Sequence, residues 1–160
     1  MSEVPRLDGV HHLKLPVADL ERSRAWYESR LGYVVRIEFV EDGRLMGVSM
    51  RHPRGGPDLA LRHDPQRAAA AAGFDYFSFG VADRADLEAL AERLTAFGDQ
   101  HAGVHFATIG WILPGAHDPD GHEVRFYTTE EHTEIGEKPL RIENPRESAA
   151  AREAEMRGAL

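Results

Sequence analysis

Val10-His11-His12-Leu13-Lys14-Leu15-Pro16-Val17-Ala18-Asp19 is echoed later in the chain by Phe74-Asp75-Tyr76-Phe77-Ser78-Phe79-Gly80-Val81-Ala82-Asp83. Both stretches end in Val-Ala-Asp and both lead into a helix-compatible run. The offset is constant, since 81 − 17 = 64 and 83 − 19 = 64. The chain therefore carries two copies of one supersecondary unit, and a duplicated unit sets up a site between its copies.

Within the first copy, Leu13, Leu15 and Val17 alternate with His12, Lys14 and Pro16, the period of two of a half-buried strand. Asp19 stands where a helix N-cap belongs. Leu20, Trp26, Tyr27 and Leu31 follow at helical spacing until Gly32 stops the run. Three strand-like runs come next, roughly Tyr33 to Glu41, Arg44 to Arg51 and Asp58 to Arg62. Asp42-Gly43 between them is a hairpin signal, and Pro53-Arg54-Gly55-Gly56-Pro57 is a loop signal. The first half thus has the order βαβββ.

Asp64 to Gly73, with Pro65 near its start and a run of Ala, fits a short helical connector. The second half repeats the order: strand Phe74 to Val81, Asp83 as cap, and a helix to about Phe97 stopped by Gly98. Strands follow near Val104 to Ile109, Trp111 to Ala116 and His122 to Tyr127, with Asp118-Pro119-Asp120-Gly121 as the last tight turn. The organisation is a first module at 8–63, a connector at 64–73, a second module at 74–128 and a charged C-terminal tail at 129–160. The two modules make one domain, and Glu147 to Leu160 has the composition of a surface helix.

Composition narrows the function classes. The 160 residues suffice for one domain with a substantial core, and 42% apolar content is ordinary for a folded protein. A formal charge of −8 without a Lys/Arg cluster repels phosphate backbones, so a nucleic-acid partner is not expected. No apolar run is long enough for a membrane span, the first residues lack a signal-peptide core, and there is no Cys, so the expectation is cytoplasmic. Without Cys, a metal site has only His, Asp, Glu or Tyr to use.

The tandem βαβββ order, the repeated Val-Ala-Asp and the closing segment Asp118-Pro119-Asp120-Gly121-His122-Glu123-Val124-Arg125-Phe126 together resemble the vicinal oxygen chelate superfamily. That superfamily includes glyoxalase I, extradiol dioxygenases, fosfomycin-resistance transferases and bleomycin-resistance proteins. The resemblance covers about residues 8 to 128. It implies an α+β fold in which two tandem βαβββ modules form a curved mixed sheet around a ligand cup, assembled by analogy as a homodimer. In the family's enzymes a divalent metal (Zn, Ni, Fe or Mn) is held by residues from the first and last strands of each half. Here the matching positions are His12, Tyr76, Ala60 and Arg125. An Arg sets a fixed positive charge against a divalent cation, and a lone His holds no metal. A set of His12, Tyr76 and Glu123 requires Glu123 to be drawn in by a register shift, so no metal is favoured.

Strand alternation, without the family, assigns the two faces. Leu13, Leu15, Val17, Leu59, Leu61, Phe77, Phe79, Val81, Val124 and Phe126 face the helices; His12, Lys14, Ala60, Arg62, Tyr76, Ser78, Glu123, Arg125 and Tyr127 face the cup. Four of the cup residues can be cationic and one is acidic, which suits an anionic or oxygen-rich ligand. Trp111 is added as a stacking surface at the rim. The expected ligand-binding set is therefore His12, Lys14, Arg62, Tyr76, Ser78, Trp111, Arg125 and Tyr127. His52, His63, His101, His105, His117, His122 and His132 scatter over loops and strand ends, and most of them are expected to be solvated. The first functional expectation is sequestration of a small organic molecule without a metal. The alternatives are an enzyme of the same fold, either a metal-dependent lyase, isomerase or dioxygenase using His12, Tyr76 and Glu123 or a metal-independent catalyst with His12 and Tyr76 as acid and base, and a structural or regulatory subunit with a vestigial cup.

Overall fold

A computed structural model describes residues 4–142. Strand β1 (His12–Val17) passes into helix α1 (Leu20–Trp26), and the Asp19 carboxylate accepts from the Arg22 amide at 3.0 Å as the sequence predicts. The last turn of the expected helix, Tyr27–Leu31, widens into a π-helical turn that ends at Gly32. Strands β2 (Val34–Glu41) and β3 (Arg44–Arg51) are joined at Asp42-Gly43, where both residues have positive φ (49° and 75°). That backbone matches the twist of the flanking strands and explains why this dipeptide closes the hairpin. Strand β4 (Asp58–His63) completes a sheet of order β1-β4-β3-β2, with β1 parallel to β4 and the other pairs antiparallel.

Helix α2 (Pro65–Ala71) is the connector, capped by the Asp64 side chain on the Arg67 amide. The second module follows as β5 (Ser78–Val81), α3 (Arg84–Ala96), β6 (His105–Phe106), β7 (Trp111–His117) and β8 (Glu123–Thr128), with sheet order β5-β8-β7-β6. Two strands are shorter than the sequence suggests. β5 begins at Ser78 rather than Phe74 because its pairing with β8 starts at Arg125, and the Phe74 carbonyl takes only a single bond from the Glu123 amide. β6 stops at Phe106, since Ala107 donates to the Gly110 carbonyl and closes a tight turn. A bulge between Leu113 and Ala116 falls at Pro114-Gly115, where Pro cannot donate to the ladder.

The result is an α+β fold of two four-stranded mixed sheets with three helices, and neither sheet is closed. One apolar cluster runs through both modules, including Leu15, Val17, Leu61, Phe79, Leu94 and Phe126, so the face assigned to the helices by alternation is the buried one. Among the described residues no helix is long and apolar enough to cross a membrane. Glu147 to Leu160, the expected surface helix, lies outside the described residues.

Candidate functional site

Strand register arranges the residues of the outward face in rows. On the first sheet His12 lies beside Asp58, Lys14 beside Ala60 and Pro16 beside Arg62; on the second, Ser78 lies beside Arg125 and Gly80 beside Tyr127. Two of the four expected cations are neutralised within their own sheets. Arg62 grips both oxygens of Glu41 at 2.6 and 3.0 Å, and Arg125 pairs with Asp75 at 2.6 Å and Glu123 at 3.2 Å. Lys14 is exposed and makes no ion pair among the described residues. His12 shares a 2.9 Å contact between Nδ1 atoms with His11, so one of these rings donates to the other.

The remaining expected residues are dispersed. Tyr76 precedes β5, packs edge-on against Phe74 at 4.9 Å and is 59% exposed. Ser78 is exposed, and the Tyr127 hydroxyl accepts from the Ile109 amide at 3.3 Å. Trp111 lies on the opposite face of β7 from Ile112, the neighbour of Tyr127, and carries the Arg84 guanidinium 4.1 Å over its ring. It therefore sits with α3, on the helix side of its sheet.

A divalent metal does not fit this residue set. Glu123, the carboxylate needed to complete it, is already committed to the Gly115 amide at 2.9 Å and to Arg125. Among the described residues no three His, Asp or Glu side chains converge. A cation at this face would have one imidazole and a neighbouring guanidinium, the wrong donor set for Zn, Ni, Fe or Mn.

The modules meet at two joints related by the repeat. At the first, the Asp118–His122 turn packs on α1. The Tyr27 hydroxyl donates to Asp118 Oδ2 at 2.7 Å, and Asp118 Oδ1 accepts from the Asp120 and His122 amides at 3.0 Å. Asp120 accepts from the Ala18 amide at 2.8 Å and the Ser23 hydroxyl at 2.7 Å, with its side chain only 2% exposed. Burial, reinforced by the Asp118 charge, pushes the Tyr27 phenol well up, and burial also raises the Asp118 carboxyl against the opposing hydrogen bonds. His122, one of seven histidines of which most were expected to be solvated, is 1% exposed. It donates from Nε2 to the Pro16 carbonyl at 2.8 Å, because a carbonyl only accepts, and its Nδ1 has no partner among the described residues.

At the second joint the equivalent loop, Pro53–Pro57, faces α3. Strand register equates Leu61 with Phe126, the partners of Leu15 and Phe79, so Asp118 and Asp120 correspond to Pro53 and Gly55. On the helix, Ser23 and Tyr27 correspond to Leu87 and Ala91. None of the side-chain bonds of the first joint can form there, and a cavity of about 390 Å³ opens between Gly55-Gly56-Pro57 and α3. A second cavity, of about 470 Å³, lies along the free edge of β1. Lys14 and Tyr76 border it, with Leu13, Phe77, Arg67 and Ala71 among its other walls. Of the residues nominated from the sequence, these two are brought together. Arg67, Phe77 and His122 were not nominated for a site; the Ala-rich connector was read as a helix, but its place beside β1 comes from the packing of the two modules.

The Glyoxalase/Bleomycin resistance protein/Dioxygenase superfamily profile matches residues 9–126. No curated protein sequence matches the chain. Among solved structures, a glyoxylase/bleomycin resistance protein/dioxygenase domain from Frankia sp. EAN1pec is 28% identical, covering 77% of this chain and 98% of its own, with a TM-score of 0.63. A lactoylglutathione lyase from Agrobacterium tumefaciens is 20% identical, covering 78% and 96%, with a TM-score of 0.63. TnmS3, an antibiotic binding protein from Streptomyces sp. CB03234, is 17% identical, covering 78% and 98%, with a TM-score of 0.60. The last two share the fold at an identity too low to carry function. The profile match over most of the chain, on a structure of two βαβββ modules, makes this chain a member of the Glyoxalase/Bleomycin resistance protein/Dioxygenase superfamily.

Proposed function

We propose that the protein binds a small, mostly apolar organic molecule with one anionic or oxygen-rich end, and that it does so without a metal. The observation that carries this reading is the cavity of about 470 Å³ along the free edge of β1, bordered by Lys14 and Tyr76 beside apolar walls, with Lys14 in no ion pair among the described residues. Its size falls in the usual range for ligand pockets, about 300–1,000 Å³, and its makeup has the usual form of an apolar lining with few polar groups. The second cation at this cavity, Arg67, is already paired with Asp64 at 2.6 Å. That leaves Lys14 to meet an anionic group.

The edge position adds a second source of recognition. The Pro16 carbonyl and the Ala18 amide both point away from β4, toward the second module. In a parallel strand alternate residues present both backbone groups to the same side, so the Lys14 amide and carbonyl face the cavity. A bound carboxylate gains the ammonium and a backbone donor together.

The experiment is a thermal-shift screen of small aryl and alkyl carboxylates against the native sequence, Lys14→Ala and Tyr76→Ala. A ligand present at about a hundred times its Kd stabilises by about 2.7 kcal/mol. The expected result is a shift for a subset of carboxylates that falls away in Lys14→Ala and shrinks in Tyr76→Ala. Equal shifts in all three proteins would overturn the site.

A further inference from the structure

We infer that the cavity at the second joint is a separate binding site for an uncharged planar aromatic molecule carrying a carbonyl or hydroxyl oxygen. The reasoning begins with the repeat. At the first joint the loop before the last strand is locked to its helix by Asp118, Asp120, Ser23 and Tyr27. At the second, Pro53, Gly55, Leu87 and Ala91 stand in their places, and the loop and helix are left apart by about 390 Å³. The duplication thus preserves the architecture of a joint while removing the groups that lock it.

The walls specify the ligand. Tyr33, Phe79 and Phe126, each nearly buried at 5%, 8% and 2% exposure, form its aromatic floor, with Val81 and Leu90 beside them. The Tyr33 and Phe79 rings lie 6.1 Å apart, and the Phe79 and Phe126 rings stack at 5.9 Å. Such a lining favours a flat, apolar body. The Tyr33 hydroxyl is already spent on the Pro57 carbonyl at 2.9 Å. His52 is not: its Nδ1 accepts from the Arg54 amide at 3.2 Å, which puts the ring proton on Nε2, and Nε2 has no partner among the described residues. The His52 imidazole N–H is therefore available as a hydrogen-bond donor to a ligand oxygen.

Charge selects against an ion. Arg30 is paired with Asp99 at 2.8 Å, and the guanidinium of Arg93, bound to the Ser29 and Arg30 carbonyls, is balanced in number by the unpaired carboxylate of Asp86. With Asp99 counted beside its partner Arg30, the formal charges around this cavity sum to zero, whereas the cavity at the β1 edge is bordered by Lys14, which has no ion-pair partner among the described residues. The two cavities sort ligands of similar shape by charge.

Coumarin, flat and neutral with a carbonyl acceptor, and a coumarin carboxylate probe this directly. Binding of each is measured by fluorescence titration to the native protein, Ala89→Trp, His52→Phe and Lys14→Ala. Ala89 is exposed on α3 and lines the cavity, so a Trp there fills the space without disturbing the core. Coumarin affinity is expected to fall about tenfold or more in Ala89→Trp and up to about tenfold in His52→Phe, the range set by one hydrogen bond, and to be unchanged in Lys14→Ala. Undiminished coumarin binding in Ala89→Trp, loss of it in Lys14→Ala, or no saturable binding of coumarin to the native protein would each overturn the inference. The carboxylate arm reports separately on the β1 edge.

Discussion

The two joints between the modules occupy equivalent places in a repeated fold and are built from opposite materials. The Asp118–His122 turn meets α1 through buried carboxylates whose acceptor sites are filled by a phenol, a hydroxyl and backbone amides. The Pro53–Pro57 loop meets α3 with no comparable side-chain bonds and leaves a cavity. The lesson is that duplication supplies two scaffolds, and one can hold the halves together while the other leaves a cavity. Buried polar networks specify a unique arrangement when every member is satisfied, which describes the first joint apart from His122 Nδ1.

The comparison breaks most readily at Asp120. Asp120→Ala removes the acceptor for the Ala18 amide and the Ser23 hydroxyl at once and is expected to lower stability by about 3 kcal/mol, read as a reduced urea midpoint at constant m-value. A loss under about 1 kcal/mol would make the two joints energetically alike.

A smaller effect tests the burial of Asp118. Its carboxyl is held above the ordinary 3.8, so the ionised form is disfavoured in the folded chain relative to the unfolded one. Stability from this group is fully present below 3.8 and is lost as pH rises through the raised value. Asp118→Asn does not titrate, so the stability difference between the two proteins is expected to move in favour of the Asn variant between about pH 3 and pH 7. A pH-independent difference would show that Asp118 titrates alike folded and unfolded.

The smallest effect belongs to the second joint. Arg54 is exposed on the loop and its side chain makes no bond among the described residues, so Arg54→Ala should change stability by no more than about 0.5 kcal/mol. A larger loss would give the loop an anchoring role that the structure does not contain.

Much of the fold was legible because its signals are local. Asp19 and Asp83 cap their helices, Asp42-Gly43 closes its hairpin, and strand alternation picked out the buried face from Leu15 to Phe126. What was not legible depends on contacts far apart in sequence. Nothing near Arg125 announces Asp75, and nothing near Arg62 announces Glu41, so the outward face looked more basic than its pairings leave it. His122 stood at the start of a predicted strand with nothing nearby to mark it as buried, because its burial is imposed by β1, more than a hundred residues away. The cavities were invisible for the same reason, since each is formed by groups that meet only when the two modules pack.

The central claim, recognition at the β1 edge without a metal, is tested most directly by calorimetric titration of a carboxylate that the screen identifies into chelator-treated protein. The account predicts binding unchanged by chelation and by added Zn, Ni or Mn, and weakened about tenfold or more in Lys14→Ala. Binding that appears only when a divalent metal is restored, or that is indifferent to Lys14→Ala, would contradict it.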